Sequence, residues 1–266
     1  MSTDSSPDAF ERLFTDHPGW LQRRQLVKLL TLFAGVGAAA WGLEQATPWQ
    51  RVVADHATEV GERRRLTLAD GSSLDLNTDS AVRLYDERGA QTIELLRGEI
   101  SVHLTGHAPS GLRTMLRVRT DAGLLEAMAA QFSARLDADG IRLSVLRGTV
   151  QMFPQVVPDE ATAQAGECWM LQPLRVWLLE GVAAQVDATA WRDGVLVARD
   201  MPLERVLAEL GRYRHGRLSC DPQLAQLPIS GHFQLEDINA TLGSLAHAHG
   251  LKLHSVLGLW TRLSAA

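Results

Sequence analysis

The chain has 266 residues, 45% of them apolar, and a formal charge of −5. That length is enough for a membrane anchor and two small domains, and the lack of a broad basic field gives nucleic-acid binding no electrostatic support. The two cysteines, Cys168 and Cys220, each sit among apolar residues. They suit either simple burial or a disulfide in an oxidising compartment.

Residues 1–24 are polar and are read as a short cytoplasmic tail, in which Phe10, Leu13 and Phe14 form one helical face. Too few residues are present there for a core, so the segment is read first as a frayed tail and, as the alternative, as a short amphipathic helix that docks on a partner. Residues 29–43 follow as the one uncharged apolar run of the chain. Extended to residues 25–46, with Lys28 snorkelling, the run reaches the length of a spanning helix. Arg23, Arg24 and Lys28 precede it and only Arg51 follows closely, so the positive-inside bias places the N-terminus in the cytoplasm. Trp20 and Trp49 bracket it as interfacial anchors. Three other readings stay open: a signal peptide cleaved after Ala38-Ala39-Ala40, a twin-arginine export signal built on Arg23, Arg24 and Lys28, and a buried globular helix. Gly35-Val36-Gly37 mimics part of a dinucleotide fingerprint, but no strand precedes it.

After Thr47-Pro48-Trp49 a linker runs to residue 57, and the apolar period then changes from helical to two-residue alternation. Asp70-Gly71 between alternating segments is a strong hairpin signal, and Asn77-Thr78-Asp79 marks another turn. Leu96-Arg97-Gly98-Glu99-Ile100 recurs as Leu146-Arg147-Gly148-Thr149-Val150, with Gly at a bend in each copy. Residues 58–188 are therefore expected to form a β-rich domain, sandwich or solenoid-like. Arg63-Arg64-Arg65, the one basic run, reads as a solvated strand edge or, less simply, a phosphate site.

From residue 189 the pattern is α+β. Val195 to Val197 suit a strand, and Asp200 and Pro202 start a helix with Leu203, Val206, Leu207 and Leu210 on one face. Leu218 to Cys220 and Ile229 to Leu235 suit two further strands. Asp237 opens a second helix, and residues 251–263 supply one or two final strands. The small domain expected is of βαββαβ type and resembles the short N-terminal domain of secretins and TonB-dependent receptors. Ile229, His232, Phe233 and Leu235 are candidates for partner contact at an exposed strand edge, although Ile229, Phe233 and Leu235 equally suit a core.

The stretches Gly61-Glu62-Arg63-Arg64-Arg65-Leu66-Thr67-Leu68-Ala69-Asp70-Gly71-Ser72, Leu76-Asn77-Thr78-Asp79-Ser80-Ala81-Val82 and Leu95-Leu96-Arg97-Gly98-Glu99-Ile100 resemble the FecR family of sigma-factor regulators. The likeness continues through Arg147-Gly148-Thr149-Val150 to Trp191-Arg192-Asp193-Gly194. It implies a single-pass protein of the bacterial inner membrane. Its periplasmic part would sense the signalling domain of a TonB-dependent outer-membrane receptor, usually for ferric chelates, and its cytoplasmic part would control an extracytoplasmic-function sigma factor. Two departures accompany it. The family's sigma-binding region is several helices long, whereas about 22 residues precede Arg23 here; Phe10 to Phe14 is then a remnant, another chain supplies that module, or the start lies elsewhere. The family's self-cleaving Gly-Thr step corresponds to Met128-Ala129-Ala130-Gln131-Phe132, where Ala130 has no hydroxyl to attack a carbonyl. An intact chain is expected.

Enzymatic chemistry is not indicated: there is no nucleophile elbow, Walker A loop or zincin motif. His247-Ala248-His249 lacks a third ligand nearby and reads as a helix end favoured by the dipole. No cofactor is expected. The alternative function is an anchored or exported periplasmic binding or structural module without sigma contact.

Overall fold

The structure, a computed structural model, describes residues 53–87, 90–105, 115–181, 187–256 and 259–265. The segment 25–46, the motif Arg23, Arg24 and Lys28, and the face Phe10, Leu13 and Phe14 lie outside the described residues. Among the described residues no helix is long and apolar enough to cross a membrane.

Thirteen strands come first. They are β1 (His56–Ala57), β2 (Arg64–Thr67), β3 (Ser73–Leu76), β4 (Ala81–Glu87), β5 (Ala90–Arg97), β6 (Glu99–His103), β7 (Leu116–Thr120), β8 (Gly123–Ala127), β9 (Ala130–Asp137), β10 (Gly140–Pro154), β11 (Ala161–Gln164), β12 (Cys168–Gln172) and β13 (Arg175–Leu178). One sheet takes β1, β4, β5, β7, β8, the end of β10 and β11; the other takes β2, β3, β6, β9, the start of β10, β12 and β13. Within each sheet the strands follow chain order. The chain thus shuttles between two sheets while advancing along both, and it joins the two expected architectures: a sandwich with a solenoid-like progression. A single apolar core lies between the sheets, with Leu74, Leu76, Ile100 and Phe132 from one and Ile93, Leu95, Val118 and Met152 from the other. The last two residues of the expected linker, His56 and Ala57, are already zipped to Val82 and Ala81 of β4.

The turn signals act where the two-residue period must be interrupted. Asp70 and Gly71 close the β2–β3 hairpin: Gly71 has φ +83°, and the Asp70 carboxylate accepts the Ser72 N–H at 2.9 Å. The repeat marks two of the places where the chain crosses between the sheets. At Gly98 (φ +83°) the chain passes from β5 to β6; at Gly148 (φ +75°) β10 itself bends out of one sheet into the other. A Cβ at Gly98 would collide with Ser80 and the Asp79 carbonyl, and one at Gly148 with the Ala129 carbonyl oxygen. Both corners therefore need glycine for its positive φ and for close approach. The two arginines of the repeat differ: Arg97 pairs with Asp79, while Arg147 is exposed.

The remaining elements are β14 (Val195–Pro202), α1 (Leu203–Gly211), β15 (Arg217–Cys220), β16 (Pro228–Gln234), α2 (Ile238–Ala248), β17 (Leu251–Val256) and β18 (Trp260–Ala265). β14 pairs with β16, and β15, β18 and β17 form a second small sheet. A second core, including Met201, Val206, Leu210, Ile229, Leu242 and Leu263, lies beneath both helices. The Asp237 side chain caps α2, accepting the Ala240 N–H at 3.0 Å, as its position before an apolar run requires. Helix α1 departs from expectation by starting at Leu203. Asp200 instead occupies a break in the β14–β16 register with φ +50°. Its N–H donates to Ser230 Oγ (2.9 Å) and its carboxylate accepts that hydroxyl (3.0 Å), which keeps the segment in the sheet.

Cys168 and Cys220 are both free. Cys168 of β12 is buried beside Ser144, its Sγ 3.3 Å from Ser144 Oγ, and Cys220 of β15 is partly buried against the second core, so burial is the reading the fold bears out. Burial also pushes the Cys220 thiol pKa up.

Candidate functional site

Alternation points one face of β3, β6, β9 and β10 into the sandwich core. The opposite face carries Asp75, Glu99, Ser101, Ser133, Arg135, Arg142 and Ser144. Helix α1 covers this polar face. Its core stripe, Leu203, Val206, Leu207 and Leu210, turns away, and Arg205 and Glu209, with Arg212 just beyond its end, form a second stripe at helical spacing. Arg135 Nη1 reaches both Glu209 carboxylate oxygens, at 3.0 and 2.9 Å. Arg212 donates to Glu99 Oε2 at 2.6 Å and to Glu209 at 3.3 Å. Arg135 and Arg142 both pair with Asp137.

The turn at residues 77–79 joins the same junction. Asn77 Nδ2 donates to Glu99 Oε2 (2.9 Å), the Tyr213 hydroxyl donates to Asn77 Oδ1 (3.0 Å), and Thr78 Oγ1 donates to the Arg212 carbonyl (3.0 Å). The basic run borders this junction too: Arg64 and Arg65 lie on β2, the last strand of its sheet, and stay exposed as a solvated strand edge. Arg63 donates to the Trp191 carbonyl and pairs with Glu236. Buried Asp75 holds Arg65 of β2 (2.5 Å) on one side and Arg192 of the Ala190–Asp193 turn (3.0 Å) on the other.

Burial alone would raise the Glu209 carboxyl, but the Arg135 and Arg212 guanidiniums outweigh it and hold its pKa below the usual carboxylate range. Burial, with Glu99 nearby, pushes the Tyr213 phenol up to about 12 despite Arg212. The junction encloses about 30 Å³ lined by Glu99, Arg135, Glu209, Arg212 and Tyr213. That is room for one or two waters and not for a metabolite. Among the described residues no group of three His, Cys, Asp or Glu could hold a metal ion, and His247 and His249 lie at the end of α2.

A different surface is open. Among the described residues β16 pairs on one side only, with β14. The Leu235 N–H donates to the Gly194 carbonyl, so alternation turns the main-chain groups of Ser230, His232 and Gln234 the other way. Gln234 confirms this direction, since its carbonyl accepts the Thr241 hydroxyl of α2 at 2.8 Å. Between this edge and α2 lies a groove that includes His232, Phe233, Ala240, Ser244 and Ala248. Of the sequence candidates, His232 is exposed and Phe233 half-buried, whereas Ile229 and Leu235 are in the core.

Residues 54–151 match the model for the FecR protein family. The chain contains a FecR-family region. That region supplies the Asn77-Thr78-Asp79 turn, Glu99 and Arg135, the sandwich side of the junction. The fold is shared with two crystal structures of a candidate anti-sigma factor from Parabacteroides distasonis ATCC 8503. One, at 1.65 Å resolution, is 19% identical with a TM-score of 0.60; the other, at 2.50 Å, is 18% identical with a TM-score of 0.59. Each alignment covers 79% of this chain and 98% of the other. No curated protein matches the chain. The junction charges Glu99, Glu209 and Arg212 were not singled out by sequence reasoning, although Arg205, Glu209 and Arg212 at helical spacing were a signal available to it.

Proposed function

We propose that the chain is a non-enzymatic regulator of an extracytoplasmic-function sigma factor. In this reading it is held in the bacterial inner membrane by residues 25–46, with the described body in the periplasm, and it senses a TonB-dependent outer-membrane receptor of the ferric-chelate class. The FecR match and the fold shared with an anti-sigma candidate support the regulatory role; the apolar run behind Arg23, Arg24 and Lys28 supports the anchor. The observation that carries the receptor contact is the unpaired edge of β16 beside the α2 groove. An extended segment of the receptor's signalling domain adds to that edge as a strand, main-chain hydrogen bonds giving affinity and the groove near Phe233 taking a side chain. β16 pairs with β14, β14 runs directly into α1, and α1 carries Glu209 beside Arg212, so strand addition and the junction share one mechanical path. Receptor occupancy is thus a coupling free energy on the junction.

The test is His232→Pro. Proline is tolerated at an edge strand but removes the outward N–H. A panel of TonB-dependent receptor signalling domains is screened for binding to the wild-type chain, and a sigma-dependent reporter is measured beside it. The expected result is binding lost in His232→Pro, with unchanged thermal unfolding, and a reporter that no longer responds to the transported ligand. Undiminished binding sinks strand addition; a reporter indifferent to the presence of the whole chain sinks the regulatory role.

A further inference from the structure

The β17–β18 hairpin ends in an apolar tip that no described residue covers. Val256, Leu259 and Trp260 are 63%, 50% and 66% exposed, and they fall within the five consecutive residues Val256-Leu257-Gly258-Leu259-Trp260. Three large apolar side chains at one turn differ from scattered surface hydrophobics, which need no explanation. The register pairs Leu253 with Leu263 and Ser255 with Thr261, and buried Thr261 and Leu263 mark the inner face. Alternation therefore gives the outer face to Lys252, His254 and Val256 of β17, to Trp260, Arg262 and Ser264 of β18 and, by the parallel register, to Arg217 and Ser219 of β15. These three strands contain no carboxylate; Asp221, just beyond β15, pairs with Arg262 at 2.7 Å. A cationic face with an exposed tryptophan stands out on a chain of charge −5.

We infer that this face docks on an anionic phospholipid surface. Val256, Leu259 and Trp260 enter the boundary between headgroups and acyl chains, and Arg217 and Lys252 meet the lipid phosphates, beside Arg262 in its pair with Asp221. The charge is complementary to such a surface, and an amphipathic tryptophan belongs at that depth. The inference rests on the anchored reading for its strength, because a body tethered by residues 25–46 meets the bilayer at high effective concentration and needs little intrinsic affinity. The β16 edge lies in the other small sheet.

The test uses the full chain with vesicles of phosphatidylcholine alone or mixed with phosphatidylglycerol, each with plain or brominated acyl chains. The emission of Trp260 is obtained as wild type minus Trp260→Phe. Bromolipid should quench that difference by about twofold in anionic vesicles, little in neutral ones, and less at high salt. The combined variant Arg217→Gln, Lys252→Gln, Arg262→Gln should lose the quenching while retaining the wild-type thermal transition. Equal Trp260 emission in plain and brominated anionic vesicles overturns the inference. An unquenched Trp260 whose emission instead shifts with an acidic, leucine-containing peptide also overturns it, in favour of a protein partner. Carbonate extraction, run separately, reports on the anchor alone, so loss of the anchored reading leaves the quenching result decisive for the hairpin.

Discussion

Glu209 is only 4% exposed, yet it is ionised because Arg135 and Arg212 face it. Removing a carboxylate from such a cluster leaves buried guanidiniums uncompensated, so Glu209→Ala should cost about 3–5 kcal/mol in urea unfolding. Its folded pKa lies below the ordinary value of 4.5. The associated stabilisation is therefore complete above about pH 4.5 and is lost as pH falls through the lower folded value. Glu209→Gln should lack that acid limb; an unchanged acid profile would mean that Glu209 does not set it. Tyr213 has the opposite sign. Its folded pKa is raised from 10.0 to about 12, so its contribution is present below pH 10 and is lost as pH rises through 12. The chain has two tyrosines, and the difference in phenolate absorbance between wild type and Tyr213→Phe isolates this one. A midpoint near 10 would remove Tyr213 from the buried junction.

At the scale of elements, the corner in β10 depends on one residue. Gly148→Ala combines a positive φ with a collision against the Ala129 carbonyl, and it should lower stability by about 2–4 kcal/mol. Gly166 has φ +91° with nothing near its missing Cβ, so Gly166→Ala should cost only the left-handed strain, about 1–2 kcal/mol. Equal melting shifts for the two would argue against the corner. The strand that faces Gly148 begins at Ala130, which is buried and paired with it. With no hydroxyl at that position, mass spectrometry of the purified chain should find no fragments divided between Ala129 and Ala130. These elements also indicate how far residue patterns reach. The Asp70-Gly71 hairpin and the Asp237 cap were legible because each is decided by local hydrogen bonds and φ. Asp200 was misjudged because a serine thirty positions away, Ser230, holds it in the sheet.

For the whole molecule, two apolar cores meet across a junction of charged and hydrogen-bonded groups. Burying those groups is tolerable only while each keeps its partners, so the two parts should unfold together. Calorimetry of the wild type should give one transition over residues 53–265, and the combined change Arg135→Ala, Arg212→Ala should separate it into two. A single unchanged transition in that variant would show that the junction does not couple the cores. The FecR-family region provides one side of the junction and α1 the other.

Local chemistry in the sequence determined the β-rich and α+β halves, the sheet-crossing glycines and the helix cap, since alternation, φ preference and capping act over a few residues. Tertiary structure alone decided that Arg63 reaches across to Trp191 and Glu236 while Arg65 pairs with Asp75 inside the sandwich, that Ile229 and Leu235 are core while the main chain of His232 faces outward, and that the polar face bearing Asp75, Glu99 and Arg135 is covered. Alternation separates the two faces of a strand, but whether a polar face ends in water or beneath a helix is set by residues more than seventy positions away.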